Sequence, residues 1–86
     1  MNQLEVLRES LGQCDEIVLD ALLMRNRIVE DIMAYKEAND IPILQPEQEA
    51  KQREWLNRRM EGRRHKDEVT AVFEEIIRNS KKIQAR

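Results

Sequence analysis

The chain has 86 residues, enough for one small domain whose single hydrophobic core would be marginal without a partner subunit. Charged residues make up 37% of it and aromatic residues 3%, and two glycines and two prolines are the only strong helix breakers, so the composition favours an all-helical protein over one built from β-sheet. The formal net charge of −2 gives the whole molecule no field that would attract nucleic acid or an anionic membrane, and a single cysteine excludes a disulfide within one chain.

The first predicted helix runs from Asn2 to about Asn39, and its hydrophobic positions recur at intervals of three and four. A helix of this length would measure about 57 Å, and the rest of the chain is too short to cover it. We therefore expect a second copy of the chain to cover the remainder. The positions of this stripe, called the seam below, are Leu4, Leu7, Leu11, Cys14, Val18, Ala21, Arg25, Ile28, Ile32 and Tyr35.

Prolines and glycine divide the rest of the chain into two shorter helices. Pro42 ends the first helix, because the residue before a proline is pushed out of the helical region. The second helix is predicted to begin at Pro46 and to stop near Gly62. The third begins at about Lys66 or Asp67, and its predicted apolar face comprises Val69, Val72, Phe73, Ile76 and Ile77. The charged N-terminal segment is unlike a signal peptide and no run would cross a bilayer, so the cytoplasm is the expected location.

Two cations interrupt the apolar pattern of the first helix. Arg25 occupies a seam position, where a permanently charged guanidinium needs an anion, either from a carboxylate of the protein or from a ligand. Lys36 lies 11 residues further on and projects from nearly the same face, about 16 Å along the axis. Long side chains at these two positions would hold a small dianion between them.

Polar residues on the other two helices point to the same place. Ser80 and Gln84 put hydrogen-bonding groups on the inner face of the last helix, and Glu49 lies near the start of the second. Together with the two cations they would line one polar pocket inside a helical bundle. Arg8 lies about 25 Å from Arg25 along the helix, so it would serve the site of a partner chain.

Simpler structural interpretations compete with this site. Arg25 would serve equally to pair with Glu30 or Glu49, or to set the register of a coiled coil, and Lys36 would serve as a solvated surface residue. Ser80 and Gln84 would be ordinary polar residues of a frayed helix end. A basic cluster around the second turn is interpreted as solvated rather than as a nucleic-acid-binding surface, since it lacks interleaved aromatic residues; its members are Arg58, Arg59, Arg63, Arg64, His65 and Lys66.

The conjunction of these motifs resembles the all-helical chorismate mutase family over almost the whole chain. The resemblance covers residues 7–37, 41–52 and 72–84. It comprises a Leu-Arg near the start of a long helix, an Asp, an Arg followed 11 residues later by a Lys, a Pro-containing turn, an acidic residue in the second helix, and Ile-Ile-x-x-Ser-x-x-x-Gln in the third. These elements are Leu7, Arg8, Asp15, Arg25, Lys36, Pro42, Glu49, Ile76, Ile77, Ser80 and Gln84.

The resemblance implies an intertwined homodimer of three-helix chains, a six-helix bundle with two equivalent sites, that rearranges chorismate to prephenate on the route to phenylalanine and tyrosine without a cofactor or metal. It implies that Arg25 and Arg8 of the partner subunit bind the two carboxylates, with Ser80 assisting. Lys36 and Gln84 would donate to the ether oxygen, and Glu49 would hold the ring hydroxyl.

The chain departs from the family pattern before and within the second helix. Many members carry an Arg-Asp pair and a further Arg where this chain has Leu44, Gln45 and Gln48. Gln45 and Gln48 are kept as substrate-binding positions, with weaker contacts expected from neutral side chains. An isochorismate-pyruvate lyase of the same fold and a non-catalytic helical binding dimer are the alternatives. Residues 1–86 form one predicted domain that ends two residues after Gln84, and a freestanding chain and a piece cut from a fusion with another enzyme of the pathway are both left open.

Overall fold

The protein is a three-helix chain in which one helix is far longer than the others. The computed structural model describes residues 2–43 and 45–85, in which the helices are α1 (Gln3–Ala38), α2 (Pro46–Met60) and α3 (Lys66–Gln84), with no strands among them. The prediction of an all-helical chain with a very long first helix is confirmed. Leu44, one of the positions that depart from the family pattern, lies outside the described residues.

Local sequence signals set both ends of α1. The Asn2 side chain accepts a hydrogen bond from the backbone N–H of Glu5 at 2.8 Å and so caps the first turn. At the other end, the backbone N–H of Asn39 bonds to carbonyls of the last turn, and Asp40 adopts a left-handed conformation with φ 54°. Asp tolerates this conformation better than most residues, so the chain reverses here, just before Pro42.

The two shorter helices begin and end close to their predicted positions. Pro46 occupies the first turn of α2, where its missing N–H is harmless, and Glu47 and Glu49 place negative charge near the positive end of the helix dipole. Gly62, with φ 72°, follows the end of α2. His65, in a left-handed conformation, precedes α3.

The core of a single chain is small. α3 packs against both α1 and α2, and the buried apolar residues are Val29, Leu56 and Ile77, one from each helix. Trp55 and Phe73 meet edge to face, with ring centroids 6.1 Å apart, at the α2–α3 contact. Val72, predicted on the buried face of α3, is instead exposed, since it lies about 140° around the helix from Ile77.

Much of the seam of α1 is uncovered in one chain. Cys14, a seam position, is exposed, because α2 and α3 extend along only part of α1. The exposed large seam residues are Leu4, Leu7, Leu11, Val18, Ile28, Ile32 and Tyr35. None of the helices in residues 2–43 and 45–85 has an apolar stretch that would span a bilayer.

Candidate functional site

A cavity of about 410 Å³ lies where all three helices and the α1–α2 connection meet. Every predicted site residue except Arg8 lines it. The residues that the sequence placed there are Arg25, Lys36, Gln45, Gln48, Glu49, Ser80 and Gln84, and the apolar part of the wall includes Ile28, Val29, Ile32, Ile43 and Ile77. The cavity therefore combines an apolar wall with cations and hydrogen-bonding groups, a common composition for small-molecule sites.

Arg25 is held in place by α3. Its guanidinium donates a hydrogen bond to the Ser80 hydroxyl, which in turn donates to the Ile76 carbonyl at 2.9 Å. Ser80 is only 9% exposed, so it is a packed residue and not part of a frayed helix end. Among the described residues Arg25 makes no ion pair, with Glu30, Glu49 or any other carboxylate. The neutral Ser80 hydroxyl orients the guanidinium without neutralising it, so the positive charge remains available for an anion in the cavity.

Lys36 approaches the cavity from the last turn of α1. Its ammonium donates to the backbone carbonyl of Ile43 at 2.8 Å, which ties the end of α1 to the connection that follows. An ammonium has three donors, so this contact leaves two others for a ligand. Lys36 is half-buried, and it belongs to the cavity wall, not to a fully solvated helix end.

Glu49 is held between two cations on different helices. One oxygen of its carboxylate lies 2.8 Å from Lys81 Nζ on α3, and the other lies 3.8 Å from Arg53 Nη1, one turn further along α2. The Glu49 side chain is 21% exposed, while those of Lys81 and Arg53 are 44% and 48% exposed. The carboxylate is thus fixed at the cavity wall by two partners that are each more exposed than Glu49.

Arg53 is principally engaged with Glu74 of α3. Its Nε and Nη2 donate to the two carboxylate oxygens at 2.7 and 3.0 Å, a bidentate contact across the α2–α3 interface. This hydrogen bonding lowers the pKa of Glu74 from its ordinary value, with a smaller contribution from the nearby charges of Arg53 and Lys81. The pair therefore links the helices that carry Glu49 and Ser80.

Arg8 is the predicted site residue that the single chain does not bring to the cavity. It is exposed near the start of α1, and 17 residues of helix separate it from Arg25, which corresponds to about 25 Å. The straight helix prevents both side chains of one chain from contacting the same small molecule.

Two polar residues of the described lining were not found by inspection of the sequence: Gln52 and Lys81. Gln52 lies one turn after Gln48 and Glu49, and Lys81 lies four residues after Ile77 and three before Gln84. Helical spacing from the predicted residues would have found both, because positions three and four apart share a face. Each has the polar character typical of a solvated surface, so neither breaks the pattern as Arg25 does.

The fold and the cavity define a small three-helix protein with a cationic cavity between its helices. Comparison with known proteins identifies the family. The family model for chorismate mutase type II matches residues 7–85, and the chain belongs to that family. No curated protein and no solved structure matches the chain.

Proposed function

We propose that this protein is a chorismate mutase, an isomerase that converts chorismate to prephenate in phenylalanine and tyrosine biosynthesis in the cytoplasm. Membership of the family supports this reaction. The observation that carries the proposal is the position of Arg25 on the cavity wall, which it shares with Lys36. Arg25 is a cation at an apolar seam position. Ser80 orients it, and it has no carboxylate partner among the described residues.

The proposed roles follow from the chemistry of the lining groups. Arg25 binds one substrate carboxylate, since its planar fork matches the two oxygens, and Ser80 holds the guanidinium in place. Lys36 and Gln84 donate to the ether oxygen, and Glu49 accepts a hydrogen bond from the ring hydroxyl. Gln45 and Gln48 complete the polar wall at the start of α2.

The reaction is an intramolecular rearrangement in which a C–O bond of the ether breaks as a C–C bond forms. Its chemistry requires no nucleophile and no proton transfer, so the site has two tasks. It holds the flexible dianion in the compact conformation from which it reacts, and it places donors where the ether oxygen gains negative charge. Arg25 suits the first task and Lys36 the second, because a lysine directs a concentrated charge at one atom.

The proposal includes a homodimer in which Arg8 of the partner subunit binds the second carboxylate. The uncovered seam supports it: leucines at positions 4, 7 and 11 are exposed in one chain, and Arg8 lies in the same segment. An antiparallel partner helix that covers these leucines would also bring its own N-terminal segment near the site. We treat residues 1–86 as one domain, either freestanding or fused to another enzyme of the pathway.

The test is the consumption of chorismate by the purified protein, followed by its ultraviolet absorbance, with product identification by chromatography. Wild type should form prephenate at a rate far above the uncatalysed one. Arg25→Ala should lose at least about 100-fold in kcat/KM, because it removes a charge-assisted contact to the substrate. Arg27→Ala is the matched control, since Arg27 is exposed on the same helix and does not line the cavity.

Different outcomes identify the alternatives. If wild type and Arg25→Ala both match the uncatalysed rate, the mutase proposal is wrong. Salicylate and pyruvate formed from isochorismate would identify the lyase of the same fold. This alternative is tested because the neutral Gln48 departs from the family pattern. Binding of chorismate by calorimetry without turnover would instead indicate a non-catalytic binding dimer.

A further inference from the structure

Lys81 is a cation of the cavity wall that has no place in the roles assigned above. It follows Ser80 by one residue on α3, lines the cavity, and places its ammonium 2.8 Å from the Glu49 carboxylate. Both Lys81 and its neighbour Lys82 are exposed, but Lys82 does not line the cavity. The two adjacent lysines therefore differ in surroundings although they share charge and helix.

Lys81 is the principal cation of Glu49. Arg53 lies further from Glu49, at 3.8 Å, and its best-oriented donors are committed to Glu74 at 2.7 and 3.0 Å. The contact between Lys81 and Glu49 joins α3 to the start of α2 across the cavity wall. It therefore limits the directions in which the Glu49 carboxylate can point.

The charge of the cavity depends on this lysine. Of the residues that the structure describes, three cations and one carboxylate line it, Arg25, Lys36, Lys81 and Glu49, which gives a formal net charge of +2. In the proposed dimer Arg8 of the partner subunit adds a further cation, and a positive cavity favours a substrate with two carboxylates. Without Lys81 the net charge contributed by one chain would be +1, and the Glu49 carboxylate would face an incoming dianion with less compensation.

We propose that Lys81 is a positioning residue of this site: it orients and neutralises Glu49, so that the cavity keeps the charge that selects a dianionic substrate. The inference rests on the proposed function for the identity of the substrate. It supplies a cation beside Glu49, whose neighbour in the sequence and in the cavity wall, Gln48, is neutral.

The test compares Lys81→Met, which keeps the length of the side chain, with Lys81→Arg, which keeps the charge, and with Lys82→Met as the matched control. Lys81→Met should raise KM for chorismate about tenfold with kcat changed less than about twofold, because the carboxylates carry the same charge in substrate and transition state. The KM of Lys81→Arg should stay within about threefold of the wild-type value, and the KM of Lys82→Met should equal the wild-type value. Thermal unfolding of each variant reports its folding, and Lys81→Gln replaces the methionine variant if that one is unstable.

Binding of prephenate by calorimetry separates this inference from the mutase proposal. Suppose that wild type binds prephenate without turnover, and that Lys81→Met weakens this binding about tenfold while Lys82→Met does not. That result would support the role of Lys81 and refute the mutase proposal. The role of Lys81 is overturned if Lys81→Met behaves as Lys82→Met in both assays. It is also overturned if Lys81→Arg is impaired as severely as Lys81→Met, since that result would show dependence on shape and not on charge.

Discussion

Truncation of one seam leucine tests whether a second copy of the chain covers α1. Leu7 and Leu23 form a matched pair: they are 55% and 56% exposed in the single chain, and they lie about 160° apart around the same helix. Leu7 belongs to the seam and Leu23 does not. Substitution of either by alanine keeps the helix propensity, so differences between the variants report what covers each face.

The expected magnitude follows from the exposed fraction. Full burial of a leucine side chain contributes about 1.5–3 kcal/mol, and slightly more than half of Leu7 is still open to solvent, so its cover by a partner contributes about 1–1.5 kcal/mol. A two-fold symmetric dimer contains the position twice, so the substitution should weaken dimer association by about 2–3 kcal/mol. The dimer dissociation constant of Leu7→Ala should therefore rise roughly 30- to 150-fold.

Sedimentation equilibrium over a range of concentrations measures that constant for wild type, Leu7→Ala and Leu23→Ala. The specific activity of Leu7→Ala should fall on dilution in parallel with its dimer fraction, because in the proposed dimer Arg8 reaches the site only from the partner subunit. A wild type that remains monomeric at about 100 μM would refute the reasoning. Equal dissociation constants for the two leucine variants would show that the seam is not the covered face.

Three further changes probe the site and its frame. Ser80→Ala should raise KM for chorismate about fivefold and lower the free energy of unfolding by about 1 kcal/mol, since Arg25 loses its partner on α3; steady-state kinetics and urea unfolding measure the two effects. Glu74→Gln should be less stable than wild type at neutral pH. Because Arg53 lowers the pKa of Glu74 in the folded chain, its contribution is present above the ordinary value of 4.5 and lost as pH falls through the folded pKa, so the two unfolding curves should converge in acid. Gln48→Arg should lower KM by restoring a cation, and an unchanged or higher KM would contradict the assignment of position 48 to substrate binding.

The helix boundaries were predictable because each has a strong local cause. Pro42 and Pro46 bracket the α1–α2 connection, Gly62 follows α2, and the structure ends or begins helices within about two residues of the predicted positions. The residues that line the cavity were predictable for another reason. Arg25 interrupts an apolar seam, and helical spacing connects it to Lys36, as it connects Ser80 to Gln84.

The features that the sequence concealed depend on contacts between helices. Lys81 looks like any solvated lysine until α2 is placed beside α3 and Glu49 lies 2.8 Å away. Val72 has the same apolar character as Ile77 but lies about 140° around α3, so only the direction of packing tells that one is exposed and the other buried. Periodicity identifies an apolar face, and neighbouring elements decide how much of it is covered.

The length of α1 connects the proposed site to the proposed dimer. A continuous helix of 36 residues is a rigid spacer of about 54 Å, and the described chain extends 57 Å along its longest axis. Arg8 and Arg25 are therefore held apart within one chain, whereas an antiparallel partner would place its Arg8 beside the first chain's Arg25. In that arrangement the seam that drives association also brings a substrate-binding cation, the partner's Arg8, to the site. An isolated chain would therefore lack part of its site as well as part of its core.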